Sequence, residues 1–82
     1  MTRRDKMQIM VSILNTCIKG ANKTRIVYQA NLNFRTVNPY LELLEDSGLI
    51  QVMEDRTKLH KTTHRGLEVI NNFVAINEMI KL

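Results

Sequence analysis

The order of secondary structure is decided by residues 23–48, which read KTRIVYQANLNFRTVNPYLELLEDSG. The stretch opens with a short amphipathic helix, for which Thr24 is the predicted N-cap; its buried side is predicted to consist of Ile26, Val27 and Ala30. Asn31 to Asn33 should form a turn, because Asn tolerates left-handed backbone and its side chain bonds nearby backbone groups. Asn33 is then placed to cap the next helix. Two helices joined in this way indicate a helix-turn-helix.

The helix after the turn is predicted over about Phe34 to Ser47. Its inward stripe, at helical spacing, is expected to be Phe34, Val37, Leu41 and Leu44. Pro39 conflicts with a regular helix, since proline removes a hydrogen bond and clashes with the carbonyl of Arg35. Either one kinked helix passes through Pro39, or the regular part begins later with Asn38 as its cap. We favour one kinked helix, because a later start would leave Phe34 and Val37 in a loop.

The flanking segments complete a winged helix, a mainly α fold with a small β-hairpin. A first helix is predicted from about Arg4 to Lys19, followed by Gly20 as its C-cap, with an apolar stripe of Met7, Met10, Val11, Leu14 and Ile18. Residues 49–53 and 59–62 should be strands around a polar tip at 54–58. A last helix follows, from about Arg65 to Lys81. We therefore divide the chain into a winged helix-turn-helix domain at 1–63 and a C-terminal helix, predicted to mediate dimerisation, at 64–82.

Three predicted elements carry residues suited to double-stranded DNA. The start of the second helix of a helix-turn-helix enters the major groove. Arg35 can pair with guanine and Asn38 with adenine, each through two hydrogen bonds, while Thr36 can contact a base or a phosphate. The full set of predicted DNA-binding residues is Lys23, Thr24, Arg25, Asn33, Arg35, Thr36, Asn38, Arg56 and Lys58.

The remaining members of that set are predicted to contact phosphates. Lys23 to Arg25 surround a helix start, and Arg56 and Lys58 lie at the hairpin tip, which would be the wing. The acidic far end of the recognition helix (Glu42, Glu45 and Asp46) should face away from DNA. Taken singly, each cation could equally be an ordinary solvated residue.

Composition limits the other function classes. The chain has 82 residues, a formal net charge of +4 and one cysteine, so it is one domain without an internal disulfide. Cys17 is expected to be a reduced core residue, with an intermolecular disulfide as the alternative. No signal peptide or membrane span is predicted, which favours a cytoplasmic, nucleoid-associated protein.

Catalytic, metal-binding and cofactor-binding motifs are not recognised in the sequence, so the protein is predicted not to be an enzyme. His60 and His64 have the spacing of a helical metal pair. They straddle a strand-to-helix junction, however, and are better explained as packed or surface residues.

The last helix is apolar over a wide arc. One stripe (Leu67, Ile70 and Val74) can pack on the core. A second stripe has the spacing of a coiled-coil seam and is predicted to form a homodimer interface through Val69, Phe73, Ile76 and Ile80. A monomer that buries both stripes against the first helix is the alternative.

The chain resembles an archaeal winged-helix family of predicted transcriptional regulators and small dimeric chromosomal DNA-binding proteins. The resemblance rests on five blocks of sequence at residues 3–7, 20–32, 40–44, 48–50 and 61–67. It implies a C-terminal helix that pairs antiparallel with that of a second subunit. It also implies DNA binding through Phe34 to Asn38, supported by Lys23 to Arg25 and the wing.

This sequence departs from the family in Pro39, which stands in the recognition helix, and in its short terminal helix. The function favoured by the sequence is a DNA-binding transcriptional regulator or chromosome-associated protein. A winged helix used as a protein-interaction module, without DNA binding, is the alternative.

Overall fold

A computed structural model describes residues 5–54 and 56–80. The helices are α1 (Lys6–Thr16), α2 (Lys23–Ala30), α3 (Phe34–Asp46) and α4 (His64–Ile80), and the strands are β1 (Ile50–Glu54) and β2 (Lys58–Thr62). The strands pair antiparallel, from Ile50 opposite Thr62 to Glu54 opposite Lys58. This order confirms the winged-helix fold predicted from the sequence. The predicted ends at Arg4 and Lys81 lie outside the described residues.

Side-chain caps set where the first three helices begin. In α1, the amide of Gln8 donates to the Asp5 carboxylate at 2.8 Å, and the amide of Asp5 donates back to the Gln8 side chain at 3.1 Å. In α3, the side-chain oxygen of Asn33 accepts from the amide of Thr36 at 2.7 Å, which confirms Asn33 as the cap. Each cap satisfies an amide that has no partner inside its helix.

The predicted cap of α2 was wrong. Asn22 caps this helix by accepting from the amide of Arg25 at 2.9 Å, so Thr24 lies inside the first turn. Asn is at least as good an N-cap as Thr, and its position two residues earlier gives α2 a further half turn. Because Thr24 does not serve as the cap, its hydroxyl lies free on the exposed side of α2.

The core lies between α1, α2, α3 and β1. Its most completely buried side chains are Ile13, Leu14, Cys17, Ile26, Val37 and Leu44. Burial raises the pKa of the Cys17 thiol to about 11, so this residue is a neutral core group, as expected.

The stripe predicted for α1 is partly wrong, since Met7 and Ile18 are exposed. The helix ends at Thr16, earlier than predicted, and Cys17, not Gly20, is its C-cap. The inward face is therefore shifted to include Ile13 and Cys17.

One helix passes through Pro39, as favoured from the sequence. Both Pro39 and Arg35 lie on the exposed side of α3, where water can reach the backbone that proline leaves without a partner. Phe34 was predicted to be buried with Val37, Leu41 and Leu44, but its side chain is 52% exposed. It occupies the first position of the helix, beyond the edge of the core.

The wing is anchored to the helices at its base. The hydroxyl of Thr62 donates to the carbonyl of Leu14 at 2.6 Å, and the amide of Thr62 donates to the carbonyl of Cys17 at 2.9 Å. Ala21 and His60 form an antiparallel bridge, with N···O distances of 2.8 and 2.9 Å. The tip is one residue shorter at each end than predicted, because Glu54 and Lys58 pair with each other within the sheet. Asp55 of the predicted tip lies outside the described residues.

The inward face of α4 also differs from the prediction. Ile70 is buried, whereas Leu67 and Val74, which share its predicted stripe, are exposed. Gly66 is buried, and Val69 packs partly against the core. The face of α4 that meets the core is therefore the one that carries Gly66, Val69 and Ile70. Within the described part of the chain, no helix combines the length and apolar character that crossing a membrane requires.

Gly66 allows α4 to approach the segment before β1 closely. A Cβ atom here would lie 2.5 Å from Cγ2 of Thr62 and closer still to the carbonyl oxygen of Leu49. We expect Gly66→Ala to destabilise the protein by about 1–3 kcal/mol, because the clash outweighs the higher helix propensity of alanine. Denaturant unfolding measures this change. Asn71→Ala, at an exposed position of α4, is the control and should be neutral or slightly stabilising; a stabilised Gly66→Ala variant would contradict this packing.

Candidate nucleic-acid interface

The predicted DNA-binding residues lie on three elements, which are α2, α3 and the wing. Lys23, Thr24 and Arg25 form the first turn of α2, and Asn33 to Asn38 contain the cap and first turn of α3. Lys58 begins β2, and Arg56 precedes it in the wing. Lys23 is half-buried and the other members of the set are exposed.

One cavity joins a residue from each element. It has a volume of about 200 Å³ and is lined by Lys23, Asn38, Leu41, Glu42, Glu45, Lys58 and His60. Lys23 comes from α2, Asn38 from α3 and Lys58 from the wing. The fold thus brings together residues that are 15 to 35 positions apart in the sequence.

Two acidic residues of α3 lie close to the lysines of this cavity. Glu42 and Glu45 line the same cavity as Lys23 and Lys58. The reason is helical geometry, because Asn38, Glu42 and Glu45 recur at spacings of four and three on one side of α3. Their carboxylates reduce the positive potential beside the second half of the helix, so an anion is attracted more strongly to its first turn.

Other predicted residues face separate hollows. Arg25 lines a cavity of about 350 Å³ with Lys19 and Gly20, between the end of α1 and the start of α2. Lys19 was not among the predicted site residues, because the sequence pattern placed it in the last turn of α1. In the structure α1 ends at Thr16, so Lys19 lies in the turn before α2. Thr36 lines an apolar hollow on the opposite side of α3 from Asn38, with Lys6 and Leu43 among its neighbours.

Asn33 has a restricted role. Its side-chain oxygen is used in the cap of α3, which leaves its amino group for a ligand. Arg35 and Asn38, in contrast, have no side-chain partner within the described residues and are exposed at the start of the helix. Both side chains can therefore present complete hydrogen-bonding groups outward.

His60 lies at the floor of the shared cavity. Its imidazole is buried, and Nδ1 has no hydrogen-bond partner. Burial lowers the pKa of His60 below its ordinary value near 6.5, although the carboxylate of Glu45 partly opposes this shift. His64 is exposed at the start of α4, and the described residues contain no group of three or more His, Cys, Asp or Glu side chains that could hold a metal ion.

A family model described as winged helix-turn-helix matches residues 3–81. The chain belongs to the winged helix-turn-helix family. It is also similar to an uncharacterised protein of Methanocaldococcus jannaschii, with 27% identity over 78 residues that cover 85% of this chain and 80% of that protein.

Two solved structures resemble this winged helix-turn-helix protein. Sso10a-2, a DNA-binding protein from Sulfolobus solfataricus, matches with a TM-score of 0.80 and 28% identity, over 95% of this chain and 86% of that one. BpsR of Bordetella bronchiseptica, whose DNA binding is regulated by 6-hydroxynicotinic acid, matches with a TM-score of 0.75 and 21% identity. The match covers 98% of this chain and 59% of BpsR, and at this identity it supports the fold alone.

The lowered pKa of His60 predicts a pH-dependent stability. The unfolded chain binds a proton at this histidine more readily than the folded chain does, so stability should fall as the pH decreases below about 6.5. We expect His60→Gln to reduce this loss, whereas His64→Gln should keep the wild-type pH dependence. Denaturant unfolding between about pH 5 and 8 measures the free energy of unfolding of each protein. If wild type and His60→Gln lose the same stability as the pH falls, His60 does not cause the loss.

Proposed function

We propose that the protein binds double-stranded DNA as a transcriptional regulator or chromosome-associated protein. The observation that carries the proposal is the convergence of Lys23, Asn38 and Lys58, from three different elements, around one cavity. In this proposal α3 is the recognition helix, and the basic start of α2 and the basic wing lie on either side of it; the second helix of a helix-turn-helix is the one that enters the major groove. The similarity to Sso10a-2 supports the same conclusion.

In this proposal the first turn of α3 enters the major groove. Arg35 donates two hydrogen bonds to guanine and Asn38 pairs with adenine, while Thr36 contacts a base edge or a phosphate. The exposure of Arg35 and Asn38 supports these roles. Glu42 and Glu45 make the second half of the helix less attractive to phosphates than its first turn.

Phosphate contacts would come from both sides of α3. Lys23, Thr24 and Arg25 present two cations and a hydroxyl at the start of α2, with Lys19 as a further cation beside Arg25. The amide of Arg25 is taken by the Asn22 cap, which leaves those of Lys23 and Thr24 for a phosphate. Arg56 and Lys58 would contact the backbone next to the wing. Asn33 contributes its amino group. These contacts position the protein on DNA without selecting a sequence. Under this proposal the protein is associated with the nucleoid.

Replacing Arg35 and replacing Lys58 should therefore have different effects on DNA binding. We expect Arg35→Ala to lose about 1–3 kcal/mol of discrimination at one base pair, because it removes a base contact. Lys58→Ala should weaken binding to all sequences by a similar factor, because it removes a phosphate contact. Selection from random duplexes, followed by titration of the selected and scrambled sites, measures both effects. Wild-type protein that binds no duplex at low salt would instead favour the protein-interaction function.

We also propose that residues 64–82 form a dimerisation element, as distinct from the winged helix of residues 1–63. Ile76 and Ile80 are 54% and 55% exposed and lie one turn apart on the same side of α4, so they form part of one exposed apolar face. Between α1 and α4 there is a largely apolar groove of about 340 Å³ lined by Met7, Val69, Phe73, Ile76 and three polar residues. The terminal helix of a second copy would cover this groove and the exposed isoleucines. Val69, Phe73, Ile76 and Ile80 remain the proposed seam.

A charge at Ile76 should separate the subunits without unfolding them. Ile76→Glu would place an unpaired carboxylate in the seam, which is costly in a dimer but not at the exposed position of a monomer. Asn71→Glu adds the same charge at another exposed position of α4 and is the control. Light scattering measures the mass, and circular dichroism checks the fold; a wild-type monomer at tens of micromolar would contradict the dimer, since about 1 μM is an ordinary dissociation constant.

The salt dependence of binding then tests whether both subunits contact DNA. With about three phosphate contacts per subunit, a monomer should lose roughly 40-fold in affinity between about 50 and 200 mM salt, and a dimer roughly 2,000-fold. Ile76→Glu should therefore show about half the logarithmic slope of wild type. Equal slopes would mean that one subunit alone touches DNA.

A further inference from the structure

Phe34 is a large apolar side chain that the fold leaves uncovered beside the proposed base contacts. Its ring is 52% exposed, although the sequence pattern assigns it to the core. The buried face of α3 is formed by Val37, Leu41 and Leu44 without it. Phe34 is thus a half-exposed apolar side chain at the end of α3 that would approach DNA.

The position of Phe34 points to a base edge. It is the first residue of α3, and Asn38 lies one turn later on the same side of the helix. Side chains on a helix lean toward its N-terminus, so the ring of Phe34 extends beyond the helix start, ahead of Arg35. In a helix-turn-helix this end of the recognition helix is the part that reaches the base pairs.

We propose that Phe34 reads the C5-methyl group of a thymine in the major groove. This inference rests on the proposed DNA binding and adds a chemical specificity to it. Thymine presents an apolar methyl group in the major groove, and phenylalanine is one of the side chains that contact it. Arg35 and Asn38 supply hydrogen bonds to neighbouring purines, and Phe34 supplies the apolar contact that hydrogen bonds cannot provide.

The polar surroundings of Phe34 favour DNA over an apolar partner. Asn33 and Arg35, on either side of Phe34 in the chain, and Thr36 are exposed and polar or cationic. An apolar protein surface docked on Phe34 would have to desolvate Arg35, whereas a base pair offers that guanidinium a hydrogen-bonding partner.

Deoxyuridine isolates the methyl group, since it differs from thymidine by that group alone. Random duplexes are enriched for tight binding, and each thymine of the recovered site is replaced in turn by deoxyuridine. At one thymine in each half-site we expect wild type to lose about fourfold in affinity, the effect of one buried methyl-sized group. Phe34→Ala should bind the thymidine and deoxyuridine duplexes equally. Fluorescence anisotropy titration measures the ratio, and circular dichroism checks that the variant is folded.

Leu43→Ala is the matched control, because Leu43 is 51% exposed on the same helix but lies in its second half. It should discriminate between the two duplexes as wild type does. The inference is overturned if wild type binds all deoxyuridine duplexes as tightly as their parent, if the recovered site contains no thymine, or if Phe34→Ala keeps the full discrimination. Failure of wild type to bind any duplex would overturn the proposed function as well, so the two failures are distinguishable.

Discussion

The antiparallel bridge between Ala21 and His60 is the constraint on which the proposed interface depends. Two backbone hydrogen bonds, of 2.8 and 2.9 Å, join the segment before α2 to the second strand of the wing. Lys23 follows Ala21 by two residues, and Lys58 precedes His60 by two residues, so the bridge holds the first residue of α2 near the first residue of β2. Both lysines line the cavity that His60 also lines. The bridge therefore keeps the basic start of α2 beside the basic end of the wing.

The same constraint explains why His60 is buried. His60 is covered on both sides of its backbone, by Ala21 and by Val52, and its side chain lines the cavity between the wing and α3. Thr62 strengthens this junction by bonding to the carbonyls of Leu14 and Cys17. A loss of stability on protonation of His60 would thus act at the junction that positions the lysines, which couples the stability of the fold to the geometry of the interface.

The charges around α3 divide the helix into two parts. Arg35 stands at its exposed first turn, whereas Glu42 and Glu45 stand beside Lys23 and Lys58 further along. Carboxylates near a phosphate backbone are repelled, so the geometry favours an approach by the N-terminal turn and limits how deeply the helix can lie in a groove. Phe34, at the tip of that turn, is then the apolar group best placed to meet a base. The apolar face that α4 leaves open beyond Ile70 is a separate surface and suits a second subunit.

The sequence by itself determined the order of the elements, because helical and strand periodicity are local properties of the chain. It also determined the turn at Asn31, which adopts the left-handed conformation with φ 55°, and the cap at Asn33. Tertiary structure decided which members of each apolar stripe are buried. Phe34, Leu67 and Val74 have the spacing of core residues but lie outside, because periodicity shows which side chains share a face and not how far the rest of the protein extends over it. The convergence of Lys23, Asn38 and Lys58 likewise depended on the bridge and the wing, since contacts between distant segments are set by packing that no local pattern records.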